Sequence, residues 1–138
     1  MKGQTLTVKK GDLKRNRRLL DVSGMTLGRV SSEIAQVLMG KHKVNFSKNI
    51  NCGDRVVVVN AGKIKVSGKK FKDKKYYRVS GYMGGLKEES FGSLQGRRPA
   101  EAIRRAVGGM LPANKLRKER MSNLYIYAGK EENAKKEG

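Results

Sequence analysis

The chain has 138 residues, one domain's length, and sets 32 Lys and Arg against 12 Asp and Glu for a net charge of +20. Its single cysteine, Cys52, excludes an internal disulfide and a cysteine-built metal site, and no run approaches about 20 apolar residues, so no helix spans a membrane. A charge of this size makes the protein repel its own copies and seek a polyanion.

In chain order, residues 1–18 carry Lys2, Lys9, Lys10, Lys14, Arg15, Arg17 and Arg18 against Asp12 alone and show almost no apolar periodicity. They read as a basic arm that orders on meeting its partner. The segment lacks the apolar core of a secretory signal. Asp12 and the missing Arg/Ser amphipathic pattern speak against a transit peptide. The run Leu19 to Val22 predicts a brief buried strand. In "TLGRVSSEIAQVLMGK", Leu27, Val30, Ile34, Val37 and Leu38 fall on one helical face, with Thr26 as N-cap and Gly40 as stop. Gly28 marks either close packing or a phosphate approach.

Val56 to Val59 are β-branched and unbroken, the pattern of a strand covered on both faces. Strand, helix, strand in this order predicts a crossover and a parallel pair. From Lys63 to Arg78 eight basic residues face Asp73 alone, with Ile64, Val66 and Phe71 as anchors. After a glycine-rich tip, Pro99 opens a helix whose stripe is Ile103, Ala106, Val107, Met110 and Leu111, with Arg104 and Arg105 off it. "NKLRKERM" predicts a short basic helix. "NLYIYAG" predicts a last strand with Leu124, Ile126 and Ala128 alternating against Tyr125 and Tyr127, and the tail 130–138 is charged and frayed. The fold class is therefore α/β: a single compact domain over 19–129, with a small, mainly parallel sheet of about four strands flanked by helices.

No motif for chemistry is complete. The loop "NAGKIKVSGKK" lacks G-x-G-x-x-G. It also departs from a phosphate loop, because five residues separate Gly62 from Gly68 and Lys70 stands where Ser or Thr would hold magnesium. G-x-S-x-G is absent. His42, the sole histidine, has no evident co-ligands and reads as a polar RNA contact or a plain surface residue; Cys52 reads as a turn or packing residue. Asp21, Asp54 and Asp73 are too separated to argue a carboxylate pair. These observations name no catalytic residue, no metal, no cofactor and no small-molecule substrate.

The densest charge is interleaved with rings and glycines in "KKYYRVSGYMGGL", Lys74 to Leu86. Lysines supply point charges for phosphates, arginines also stack and fork, tyrosines offer flat faces, and glycines let a backbone approach. That combination suits irregular folded RNA, read by shape, unpaired bases and 2′-OH groups. Each of Tyr76 and Tyr77 has two readings, RNA contact or packing against the sheet.

The stretch "KDKKYYRVSGYMGGLKEESF", with "TLGRVSSEIAQVLMGKHK", "CGDRVVVVNAGKIKVSGKK" and "GGMLPANKLRKERM" in this order, strongly resembles bacterial-type large-subunit ribosomal protein thirteen, collinearly from about Leu19 to Gly129. Val79 and Met83 stand where that family commonly has His and Pro, and Ala113 and Arg117 where it has Lys and Gly. The resemblance implies a structural, non-enzymatic protein that binds large-subunit ribosomal RNA, supports early subunit assembly and contacts neighbouring ribosomal proteins. It places the protein in bacterial-type ribosomes, in the cytoplasm or an organelle. Carried residue by residue, the RNA-facing candidates are Lys41, His42 and Lys43; then Lys69, Lys70, Lys72, Lys74, Lys75, Tyr76, Tyr77 and Arg78; then Gly81, Tyr82, Gly84 and Gly85 at the tip; and Asn114, Lys115, Arg117, Lys118 and Arg120. Arg97 and Arg98 complete the candidate set. The alternative is a non-ribosomal RNA-binding regulator, for example of a messenger RNA.

Overall fold

The computed structural model describes residues 9–44 and 46–129. The tail and the first eight residues of the arm lie outside them. Three strands, β1 (Arg17–Asp21), β2 (Arg55–Val59) and β5 (Leu124–Ile126), form a parallel sheet in the order β1-β2-β5. The β-branched run takes the centre: Val56 to Val59 are all buried, with Val56 and Val58 in the main core and Val57 and Val59 on the opposite face beside Tyr127. Register places Leu19 beside Val57 and Val56 beside Leu124.

Helix α1 (Leu27–Met39) follows the predicted face, burying Leu27, Val30, Ile34 and Leu38. Thr26 occupies the N-cap without a side-chain bond. The helix start is tied instead by the Leu27 N–H, which donates to Lys65 O at 2.8 Å. Gly28 is exposed with open space where a Cβ would be, so close packing does not explain it. The core is completed by α3 (Phe91–Arg97) and α4 (Pro99–Met110), which bury Phe91, Leu94, Ala102, Ile103 and Val107. Met110, predicted on the stripe, is exposed, because it ends the helix. The basic helix α5 (Leu116–Ser122) leads into β5.

Two departures concern strands. β1 begins at Arg17, inside the segment read as an arm, and is an edge strand; Leu19 is 48% exposed and full burial starts only at Val22. A short apolar run carries no mark that separates an edge from a centre. In addition, the stretch read as basic charge and a glycine tip is structured. After a single helical turn, α2 (Lys70–Asp73), the strands β3 (Lys75–Val79) and β4 (Leu86–Ser90) form a separate antiparallel hairpin. It is fastened to the body by Phe71, edge-on to Phe91 at 6.0 Å, and by the Phe91 N–H on Lys74 O.

Candidate nucleic-acid interface

Two regions each bring several cationic side chains together. The first lies at the N-terminal end of β2. Helix α1 ends at Gly40, in the left-handed region at φ 80°, and the chain returns through Cys52 and Gly53. A Cβ on Gly53 would sit 1.7 Å from Leu38 O, and one on Gly40 would sit 2.6 Å from Cys52 O. Only glycine permits this contact, which sets the loop carrying Lys41, His42 and Lys43 against Asp54.

Asp54 is fully buried, and its carboxylate collects four donors. Oδ1 accepts from Lys43 Nζ at 2.7 Å and from the Asn16 N–H at 3.1 Å. Oδ2 lies 2.9 Å from His42 Nε2 and accepts from Arg18 Nε at 3.2 Å. Burial is the largest single influence on this carboxyl and opposes its ionisation. The hydrogen bonds from Lys43, Asn16 and His42 together outweigh burial and hold the pKa at about 2. Sequence separation hid this cluster, since Asp54 lies 36 residues from Arg18 and 12 from His42. Of the predicted trio, Lys41 is exposed, His42 is engaged by Asp54, and Lys43 faces inward, its ammonium also donating to Lys14 O at 2.8 Å.

The second region is the hairpin. Strand alternation sends the adjacent tyrosines to opposite sides. Tyr76 packs against the core, with Arg105 over its ring at 5.1 Å and Lys74 at 5.5 Å, and its buried hydroxyl has no partner. Burial pushes its phenol up, with Arg105 pulling the other way. Tyr77 is 61% exposed, and Tyr82 at the tip is more so. Thus Tyr76 takes the packing reading, while the Tyr77 ring is open to solvent. Lys69, Lys70, Lys72 and Arg78 are exposed; Lys75 pairs with Glu88, which raises its pKa.

The tip glycines have reasons inside the hairpin. Gly81 and Gly84 hold φ of 85° and 73°, and a Cβ on Gly85 would fall 1.9 Å from Ser80 Oγ. The turn is closed by the Gly85 N–H on Tyr82 O and the Ser80 N–H on Gly85 O. Behind the hairpin, a cleft brings Tyr76, Arg78, Arg97 and Arg98 together with Lys87 and Arg105, which were not among the predicted residues. Its walls are braced by Arg97 on Glu89 at 2.7 Å and Arg105 on Glu101 at 3.0 Å. Lys87 could have been found only from its register opposite Arg78, which sequence does not show.

The third predicted group divides. Asn114, Lys115 and Lys118 are exposed, and Asn114 Oδ1 accepts the Leu116 N–H at the start of α5. Arg117 is half-buried beside Gly108. Arg120 is a correction: it is 2% exposed, the largest fully buried side chain, and its Nε has no hydrogen-bond partner. It falls one helical turn after half-buried Leu116, on the inward face of α5, and burial lowers its pKa. Among the described residues no group of three His, Cys, Asp or Glu could hold a metal ion, and no helix is long and apolar enough to cross a membrane.

Comparison with known proteins places this geometry in context. The family model described as "Ribosomal protein L13" matches residues 15–133. The large ribosomal subunit protein uL13 of Clostridioides difficile is 52% identical over 124 residues, 89% of this chain and 86% of the relative. The protein of the same name from Alcanivorax borkumensis is 46% identical over 93% of this chain and 90% of its own length. That from Kocuria rhizophila is 42% identical over 93% and 87%.

Proposed function

The chain belongs to the ribosomal protein L13 family, and from that premise we propose that it is a structural, non-catalytic constituent of the large ribosomal subunit. It binds that subunit's ribosomal RNA, supports early assembly beside neighbouring ribosomal proteins, and works in the cytoplasm of a bacterial cell. The observation that carries this reading is the collinear match across nearly the whole folded domain to relatives named for the large subunit. Charge supports it: a +20 protein needs a polyanion, and the α2 turn with the hairpin after it presents Lys69, Lys70, Lys72, Arg78, Tyr77 and Tyr82 to solvent. Lysine and arginine there neutralise phosphates, while the two exposed rings are free to stack on unpaired bases.

Sedimentation tests the assignment. A tagged chain should appear stoichiometrically in the large-subunit peak, and its absence there overturns the reading. Titration with a large-subunit ribosomal RNA transcript tests the chemistry. If about six phosphates are neutralised, affinity should fall about a thousandfold between about 50 and 200 mM salt. An affinity that stays flat across that range refutes electrostatic binding. Tyr77→Ala should cost about 1–3 kcal/mol of RNA affinity with little change in salt slope if the ring stacks.

A further inference from the structure

Asp54 is the only buried carboxylate among the residues whose side chains are described. A buried charge is costly unless fully paired, and a negative one beneath a basic surface opposes RNA as well. Its partners come from two separate parts of the chain, the entry to β1 and the loop after α1, and they are used unequally. Lys43, only 15% exposed, commits its ammonium to Asp54 and Lys14 O, so its charge is already neutralised and turned inward. Arg18 is half exposed and bonds the carboxylate through Nε alone. That leaves the two terminal amino groups of its guanidinium, the planar fork that matches phosphate oxygens, and the Nε bond restricts where the fork points.

We propose that Arg18 is a phosphate-binding residue of the RNA interface, Asp54 the positioning residue that aims it, and Lys43 a strut that holds the carboxylate in place. The proposal rests on the RNA-binding function and adds to it a residue from the segment read as a mere arm. Positioning and simple charge predict opposite signs for one substitution. Asp54→Asn removes a negative charge, so long-range electrostatics alone would tighten RNA binding. If the carboxylate aims Arg18, binding should weaken instead.

The test is titration of the full-length chain with a large-subunit ribosomal RNA transcript across the salt range, with each free variant's folding followed by circular dichroism. Salt-dependent binding by the unaltered chain comes first, and its failure would count against RNA binding itself, whatever the variants do. Asp54→Asn is expected to bind about fivefold more weakly or worse, the low end for losing a directed arginine contact. Arg18→Met should lower the salt slope by about one, making affinity about 3.5-fold less sensitive to salt between about 50 and 200 mM. Lys43→Gln, which keeps a donor for Asp54 but not the charge, should bind within about twofold of the unaltered chain at unchanged slope, whereas Lys43→Ala should weaken binding as Asp54→Asn does. The Lys43 pair decides the question even if Asp54→Asn does not fold. Equal or tighter binding by folded Asp54→Asn, an unchanged slope in Arg18→Met, or equal losses with a reduced slope in both Lys43 variants would each overturn the proposal.

Discussion

Tyr76→Phe isolates one atom. The phenolic oxygen is buried without a partner, while the ring packs against the core between Arg105 and Lys74. Phenylalanine keeps the ring, the strand position and both cation contacts. An unsatisfied buried hydroxyl costs about 1–3 kcal/mol of desolvation. Because this ring also borders the cleft behind the hairpin, the lower end applies, and Tyr76→Phe should stabilise the free protein by about 1 kcal/mol. For a chain of this size that raises Tm by about 4 °C. Urea unfolding should show a later midpoint at unchanged m-value, since neither state changes its exposed area much. RNA affinity should not change. A loss of stability beyond about 0.5 kcal/mol would show that the hydroxyl has a partner inside the protein and refute the unsatisfied hydroxyl, and a clear loss of RNA affinity would put that hydroxyl on the RNA and refute the assignment of Tyr76 to the core alone.

Two further perturbations address the ground on which the Asp54 cluster stands. Gly53→Ala forces a methyl against Leu38 O, backbone against backbone, and should cost about 3 kcal/mol or more in urea unfolding; a cost under about 1 kcal/mol would mean that the contact yields. Acid should release the cluster. The Asp54 carboxyl is held at about 2 against an ordinary 3.8, so its contribution of about 2 kcal/mol is complete above the unfolded value and is lost as pH falls from there towards 2. Stability followed against pH should therefore lose that increment in the unaltered chain but not in Asp54→Asn, and identical acid profiles would refute the depressed pKa.

The amino-acid sequence alone determined the elements whose burial is written in local periodicity. Helix α1 and helix α4 were legible because four or five apolar residues recur on one face, and β2 because four consecutive β-branched residues suit a strand covered on both sides. The charge of +20 and the ordered set of motifs pointed to RNA and to the family. Strand β4 was not legible: "LKEES" has one apolar residue, and it is a strand because β3 pairs with it. Nor was the division between the tyrosines. Adjacent positions on a strand must face opposite ways, but only the docking of Phe71 on Phe91 decides that Tyr76 turns inward and Tyr77 outward. Arg120 was misplaced because a seven-residue helix is too short for its inward face to show as a pattern. Asp54 looked isolated for a related reason: its partners are distant in sequence, and a carboxylate's surroundings are set by which strand ends and loops the topology brings together. Periodicity records which face of an element leaves water; it holds no record of what that face, or the end of that element, will meet.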